Sequence, residues 1–133
     1  MDAGITAAAI SIETLDYPLE LVAEIVADLN LRLCLDVGHL LIQGHDCPAM
    51  IDRYADATSI IHLHGVENNR DHVALDRLPL DFMVSILQSL RGFTGSVSLE
   101  VFSFKHLQKS LQCVDQCWQK VITDNLDSNV DNQ

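Results

Sequence analysis

The chain has 133 residues, 48% of them hydrophobic, and a formal net charge of -11. This length and apolar content suit one domain with a real core. The strong negative charge repels phosphate backbones and disfavours nucleic acid as a partner. No apolar stretch has the length of a membrane span, and the first ten residues lack the basic flank of a signal peptide, so we expect a cytoplasmic protein with no membrane association.

Short apolar runs alternate along the chain with segments patterned as helices. The predicted strands cover residues 9–15, 31–37, 58–64 and 96–102. The predicted helices cover residues 18–30, 47–57, 78–92 and 104–121, and a proline lies near the start of each of the first three. In the first helix Leu21, Ile25 and Leu29 recur at four-residue spacing beside Val22 and Val26, an apolar stripe over one face that we expect to cover a sheet.

This alternation predicts an α/β fold with parallel strands. Four consecutive βα units form the C-terminal half of a (β/α)8 TIM barrel, because eight units need about 250 residues. We expect this partial barrel to cover residues 1–122. The polar residues 65–77 are predicted to be a loop, and residues 123–133, which are polar and acidic, are predicted to be a disordered tail.

Carboxylates and an imidazole recur where the predicted strands end. Glu13 ends the first apolar run, Asp36 the second, His62 the third and Glu100 the fourth. Ligands gather at the carboxyl ends of parallel strands in such folds, so we expect these four side chains to share one metal site. Three carboxylates and one imidazole suit Mn, Zn, Fe(II), Co or Mg.

Further polar residues lie near these four in the sequence. His39 comes three residues after the carboxylate of the second strand and makes a second metal ion plausible. His64 lies two residues after His62, so both side chains point to the same side of a strand. Asp71 and His72 lie in the predicted loop, from which they could reach a substrate.

Each candidate also has a structural interpretation. Glu13 could place negative charge near a helix N-terminus, and Asp36 with His39 could cap a loop. The paired histidines could be satisfied core residues. Glu100 is hardest to explain in this way, because a carboxylate in a buried strand is costly without a positive partner. The four cysteines show no CxxC spacing and are expected to be reduced thiols.

These residues resemble the xylose isomerase-like and endonuclease IV-like TIM barrel superfamily, which includes sugar-phosphate isomerases and epimerases. In that superfamily a Glu ends the fifth strand, an Asp closely followed by a His ends the sixth, a His ends the seventh and a Glu ends the eighth. LCLDVGHL at residues 33–40 is the most specific match. The resemblance covers about residues 9–122 and implies the metal ligands Glu13, Asp36, His39, His62 and Glu100.

More narrowly, four segments are similar to the cobamide-remodelling phosphodiesterases of this superfamily. They are IETLDYPLELV, CLDVGHLLIQGHD, IIHLHGV with RDHVAL, and SLEVF. Those enzymes cleave the phosphodiester of the cobamide nucleotide loop. The similarity implies catalytic roles for Glu13, Glu100 and His39 and contacts to substrate from His64, Asp71 and His72.

Three functions follow from these features, and the sequence leaves them open. The first is metal-dependent hydrolysis of a cobamide phosphodiester, with one or two ions of Mn, Zn, Co or Fe as the cofactor. The second is isomerisation or epimerisation of a sugar or sugar phosphate. The third is an inactive half-barrel fragment, since the strands of the N-terminal half are absent from this sequence.

The half-barrel interpretation also predicts an assembly. A four-stranded parallel sheet has two open edges, here the strands around residues 10–12 and 97–101. Apolar edges of this kind invite pairing with another chain. We therefore expect a homodimer through the exposed barrel edges, alongside a small-molecule substrate.

Overall fold

The computed structural model describes residues 4–130, with side chains through residue 124. Within these residues the chain divides into two compact units. The first comprises residues 4–63 and 93–98, and the second comprises residues 64–92 and 99–130.

Four strands form one sheet with the order β1-β2-β3-β6. These strands are β1 (Ser11–Glu13), β2 (Arg32–Asp36), β3 (Thr58–Leu63) and β6 (Ser96–Leu99). β1 pairs with β2 and β2 with β3 in parallel. Leu33, Leu35 and Ile61 are fully buried on the two central strands. The predicted α/β fold with four parallel strands, as in part of a TIM barrel, is confirmed.

Three helices belong to the first unit: α1 (Leu19–Asp28), α2 (Val37–Ile42) and α3 (Cys47–Tyr54). Pro18 precedes α1, and the Asp46 carboxylate accepts a hydrogen bond from the backbone N–H of Ala49 at the start of α3. These starts agree with the sequence prediction. α2 is an addition to it, because its six residues are too few to carry a periodic signal.

The apolar stripe predicted for α1 is divided between buried and exposed side chains: Val26 is buried, as expected, whereas Leu21, Ile25 and Leu29 are exposed. Leu21, Ile25 and Leu29 are 62%, 54% and 58% exposed. The buried side chains of this helix are Leu19 and Val26, which are seven residues apart and share the neighbouring face. α1 therefore has apolar side chains on two faces, and only one of these faces packs within the unit.

A hairpin replaces the loop predicted for residues 65–77. β4 (Gly65–Glu67) pairs antiparallel with β5 (Arg70–Val73), and Asn68 and Asn69 between them both have positive φ. Two successive left-handed residues define the tight turn that suits hairpins, and asparagine tolerates this conformation better than most residues. The segment was predicted to be a loop because its composition is polar, and the turn residues Asn68 and Asn69 were not recognised as the centre of a hairpin.

Two helices complete the second unit: α4 (Leu80–Ser89) and α5 (Phe104–Val130). Met83 and Ile86 of α4 are buried, as are Cys117 and Val121 of α5. α5 continues to Val130, past the predicted helix end at Val121, so residues 123–130 are helical and not the disordered tail that we expected. Residues 131–133 of the predicted tail lie outside the described residues.

The fourth strand is shorter and more exposed than predicted. β6 ends at Leu99, and residues 96–98 are exposed. Glu100 follows the strand, and its side chain is 31% exposed as a whole, although its Oε2 atom is buried. Among the helices of residues 4–130, none combines the length and the apolar character that crossing a membrane requires.

Candidate metal site

Three predicted ligands come together at the carboxyl ends of neighbouring strands in the first unit. Glu13 is the last residue of β1, Asp36 is the last residue of β2, and His62 is the penultimate residue of β3. The strand register aligns Asp36 with His62, and it aligns Glu13 with Cys34, two residues before Asp36 on the same face of β2. Parallel pairing in this register therefore brings the three side chains together at the carboxyl ends of the strands.

The distances among these side chains suit a shared ion. His62 Nδ1 lies 2.9 Å from Glu13 Oε1 and 3.8 Å from Asp36 Oδ2. One donor atom from each of the three residues lies within 4.8 Å of the others. Metal bonds to nitrogen and oxygen are about 2.0–2.2 Å long, so neighbouring donor atoms around one ion lie about 3 Å apart. The set of two carboxylates and one imidazole fits a divalent cation of the first transition series.

Asp36 is fixed by contacts from two elements. Its Oδ1 accepts a hydrogen bond of 2.8 Å from the backbone N–H of His39 and so caps α2. Its own backbone N–H donates to Thr14 Oγ1 at 2.9 Å. The side chain is fully buried, with Oδ2 toward His62. The capping interpretation of Asp36 and the metal interpretation therefore use different oxygens and are compatible.

His39 is held by the backbone beside the same carboxylate. Its Nδ1 lies 3.2 Å from the carbonyl oxygen of Thr14 and 3.9 Å from Asp36 Oδ2. A proton on Nδ1 would be donated to this carbonyl, and Nε2 would then carry the lone pair that a metal ion needs. A backbone carbonyl on the other ring nitrogen is the usual support of a ligating histidine.

Two residues of this region carry no prediction from the sequence. Thr14 is buried and orients both Asp36 and His39. Cys34, to which the sequence assigned no role in the site, offers a thiol within 4.8 Å of donor atoms of Glu13 and His62. Its position two residues before Asp36 is the signal that could have pointed to it, since alternate residues of a strand share a face.

In the second unit, His64 and His72 form a stacked pair. His64 is fully buried, and its ring lies 4.2 Å from that of His72, centroid to centroid, with the planes 11° apart. The backbone N–H of His72 donates to His64 Nδ1 at 3.0 Å. This bond requires an unprotonated Nδ1, so the neutral ring carries its proton on Nε2. The Gly65 carbonyl, 3.2 Å from the same Nδ1, would accept from the other tautomer.

His72 lies between two carboxylates. Its Nδ1 is 3.2 Å from Asp71 Oδ1 and its Nε2 is 3.7 Å from Glu100 Oε2. The hydrogen bond from the His72 ring lowers the pKa of Asp71, and the nearby imidazoles lower it further. His72 also has a positive φ of 54°, a backbone conformation that is uncommon outside glycine.

The structure thus divides the predicted site residues between the two units. The first unit holds Glu13, Asp36, His39 and His62, and the second holds His64, Asp71, His72 and Glu100. Each set has internal contacts, and each contains carboxylate and imidazole donors. Phe102, whose ring stacks on His72, carries no prediction from the sequence.

Comparison with known proteins identifies the family. The family model for the xylose isomerase-like TIM barrel matches residues 9–117, and the chain belongs to this family. No curated protein matches the chain. Metal binding is common in the family, and the chain's membership of it favours a small-molecule substrate. The predicted superfamily is confirmed, while the cobamide-remodelling subfamily stays a prediction.

Proposed function

We propose that this chain supplies the metal-binding half of a phosphodiesterase that cleaves the nucleotide-loop phosphodiester of a cobamide. The observation that carries the proposal is the convergence of Glu13, Asp36 and His62 at the carboxyl ends of three adjacent strands. Membership of the xylose isomerase-like family supports metal-dependent chemistry on a small molecule, and the resemblance of four sequence segments to cobamide-remodelling phosphodiesterases is the support for the reaction and the substrate.

Glu13, Asp36 and His62 would hold the first ion. His39 would bind a second ion or contact the phosphate. A divalent ion held here supplies a Lewis acid for the phosphoryl oxygens and lowers the pKa of a coordinated water.

The histidines provide the remaining chemistry. Hydrolysis breaks one P–O ester bond, and the departing oxygen needs a proton. The Asp71 carboxylate lies beside Nδ1 of His72 and so orients the imidazole ring. Nε2 of His72 is then the atom that can donate this proton. The ring of His64 stacks on the ring of His72, and His64 Nδ1 accepts a hydrogen bond from the backbone N–H of His72. These roles make His72 the proposed general acid and His64 a positioning residue.

Isomerisation of a sugar or sugar phosphate is the second candidate. Its support is the partial exposure of two carboxylates, since the side chains of Glu13 and Glu100 are 36% and 31% exposed and could reach a substrate carbon. There they would exchange a proton at the carbon next to a carbonyl. We rank it second because all three lysines of the chain lie on α5, at residues 105, 109 and 120, and not among the site residues.

The experiment compares two reactions in one preparation. The protein, loaded in turn with Mn, Zn, Co or Fe(II), is given a cobamide with an intact nucleotide loop and, separately, an aldose phosphate. We expect release of the nucleoside part of the loop, and loss of that activity in Asp36→Asn and His62→Ala. Glu24→Gln on the exposed face of α1 is the control that should change nothing. Aldose–ketose conversion without phosphodiester cleavage would reverse the ranking.

We also propose that the chain pairs with a second copy of itself. β1 and β6 are the outer strands of the sheet in the described part of the chain. Leu21 and Ile25 on α1 and Leu29 directly after it have exposed side chains, which add apolar surface to the first unit. Edge strands and exposed apolar stripes are both costly unless covered. A second copy that covers them would also provide the strands that a closed barrel requires.

A further inference from the structure

Three rings of the second unit form a column that runs from the interior to solvent. His64 is fully buried at its base, His72 is stacked on it, and Phe102 is stacked on His72 with centroids 4.6 Å apart and planes 15° apart. Phe102 is 79% exposed. The outer face of the last ring in the column is therefore in solvent.

Exposure of this kind is unusual for a residue held in a fixed stack. A phenylalanine on the surface usually lies flat on apolar neighbours, because exposed aromatic area is costly in water. The ring of Phe102 instead lies against a polar imidazole that is placed between Asp71 and Glu100. A second planar ring on Phe102 would remove its outer face from water and extend the column in the same geometry.

We propose that Phe102 is a stacking platform for an aromatic ring of the substrate. The chemical class is a phosphodiester or phosphate ester that carries a planar, uncharged heteroaromatic base, and the base would lie on the open face of Phe102. The inference rests on the proposed phosphodiester substrate and adds the group that selects it. His72, on the other face of the same ring, is the proposed donor to the ester oxygen, so the platform links base recognition to the reacting bond.

The test separates the contribution of the aromatic ring to binding affinity from the contribution of the phosphate. Binding of bis(4-nitrophenyl) phosphate and of diethyl phosphate is measured by calorimetry with the full chain loaded with Mn. Both probes carry one phosphodiester charge, and only the first has rings. The variants are Phe102→Leu, which keeps apolar bulk, and Phe104→Leu, a matched control because Phe104 is 74% exposed but has no ring stacked on it among the described contacts.

We expect Phe102→Leu to weaken binding of the aryl diester by about tenfold, the typical effect of one stacked ring, and to leave diethyl phosphate unchanged. Phe104→Leu should change neither. Equal affinity of wild type and Phe102→Leu for the aryl diester would overturn the inference, as would no binding of the aryl diester to the wild type. So would an equal loss for both probes, or a change only in self-association, which would mean that a second chain covers Phe102. Metal content and hydrolysis, measured on the same samples, report on the proposed function independently.

Discussion

Asp36 uses its two carboxylate oxygens for two purposes. One oxygen caps α2 through the backbone N–H of His39, and the other faces His62. Asparagine retains a capping oxygen but has no charge, whereas alanine has neither. The two purposes can therefore be separated by substitution.

We expect Asp36→Asn to lose most of its metal affinity while it keeps nearly all of its stability, since asparagine is as good an N-cap as aspartate. Asp36→Ala should lose metal and also about 1 kcal/mol of unfolding free energy. Urea unfolding of the metal-free proteins and isothermal titration with Zn measure the two effects. Equal destabilisation by both variants would show that the carboxylate charge, and not the cap, stabilises the fold.

Cys113 predicts a dependence of stability on pH. Burial, together with the neighbouring Cys117 whose Sγ lies 4.0 Å away, raises the pKa of the Cys113 thiol from 9.0 to about 12. A raised pKa in the folded state means that its stabilising contribution is complete below pH 9.0 and is lost as the pH rises toward about 12. The unfolding free energy should fall more steeply above pH 9.0 in the wild type than in Cys113→Ala. Parallel curves for the two proteins would contradict the assignment.

At the scale of elements, Gly65 fixes the position of the β4–β5 hairpin. A Cβ atom at this residue would lie 2.1 Å from the backbone oxygen of Ala74, which is far inside a normal contact. The hairpin carries His72 and Asp71, so its placement determines where their side chains lie.

Gly65→Ala should therefore destabilise the protein by about 2 kcal/mol or more, because backbone must move to admit the methyl group. Gly44→Ala is the control, since Gly44 has a φ of 80° but no neighbour within 4 Å of an added Cβ. It should cost about 1 kcal/mol from backbone strain alone. Thermal unfolding of the two variants measures the difference, and equal costs would mean that the contact at Gly65 relaxes freely.

The elements that the sequence predicts well are those with an unambiguous period or boundary. The starts of α1 and α3 are predicted by Pro18 and by Cys47–Pro48, and β2 and β3 by their continuous apolar runs. The hairpin at Asn68 and Asn69 is missed because its strands are polar and only three and four residues long. Which face of α1 is buried could not be predicted either, since both faces are apolar and packing alone decides between them.

The contacts of the candidate site can likewise be divided into those that the sequence predicts and those that it does not. The proximity of Glu13, Asp36 and His62 can be predicted because the carboxyl ends of parallel strands lie side by side. Thr14 and Phe102 could not be predicted, because a threonine that bonds the backbone and a phenylalanine that stacks on an imidazole carry no motif. Contacts made by common residue types are visible only after the chain is folded.

At the scale of the whole molecule, self-association is the testable consequence of the open sheet edges and the exposed α1 stripe. The net charge of -11 opposes pairing of like chains, so salt should strengthen it. We expect light scattering at micromolar concentration to give the mass of a dimer, with the dimer fraction rising between low and physiological ionic strength. Ile25→Glu should shift the protein toward monomer, while Ile42→Glu, 43% exposed on α2, should not. A stable monomer with protected amides on β1 and β6 would contradict the proposed pairing.

The central claim is that the acidic and imidazole side chains at the strand ends bind a divalent metal, and elemental analysis tests it most directly. The protein is incubated with Mn, Zn, Co or Fe(II) and dialysed, and its metal content is compared with that of Glu13→Gln, His62→Ala and the surface control Glu24→Gln. We predict about one tightly held ion per chain in wild type and control, and little metal in the two site variants, because each removes a ligand or its charge. Equal metal content in all four proteins, with circular dichroism showing an intact fold, would contradict the claim.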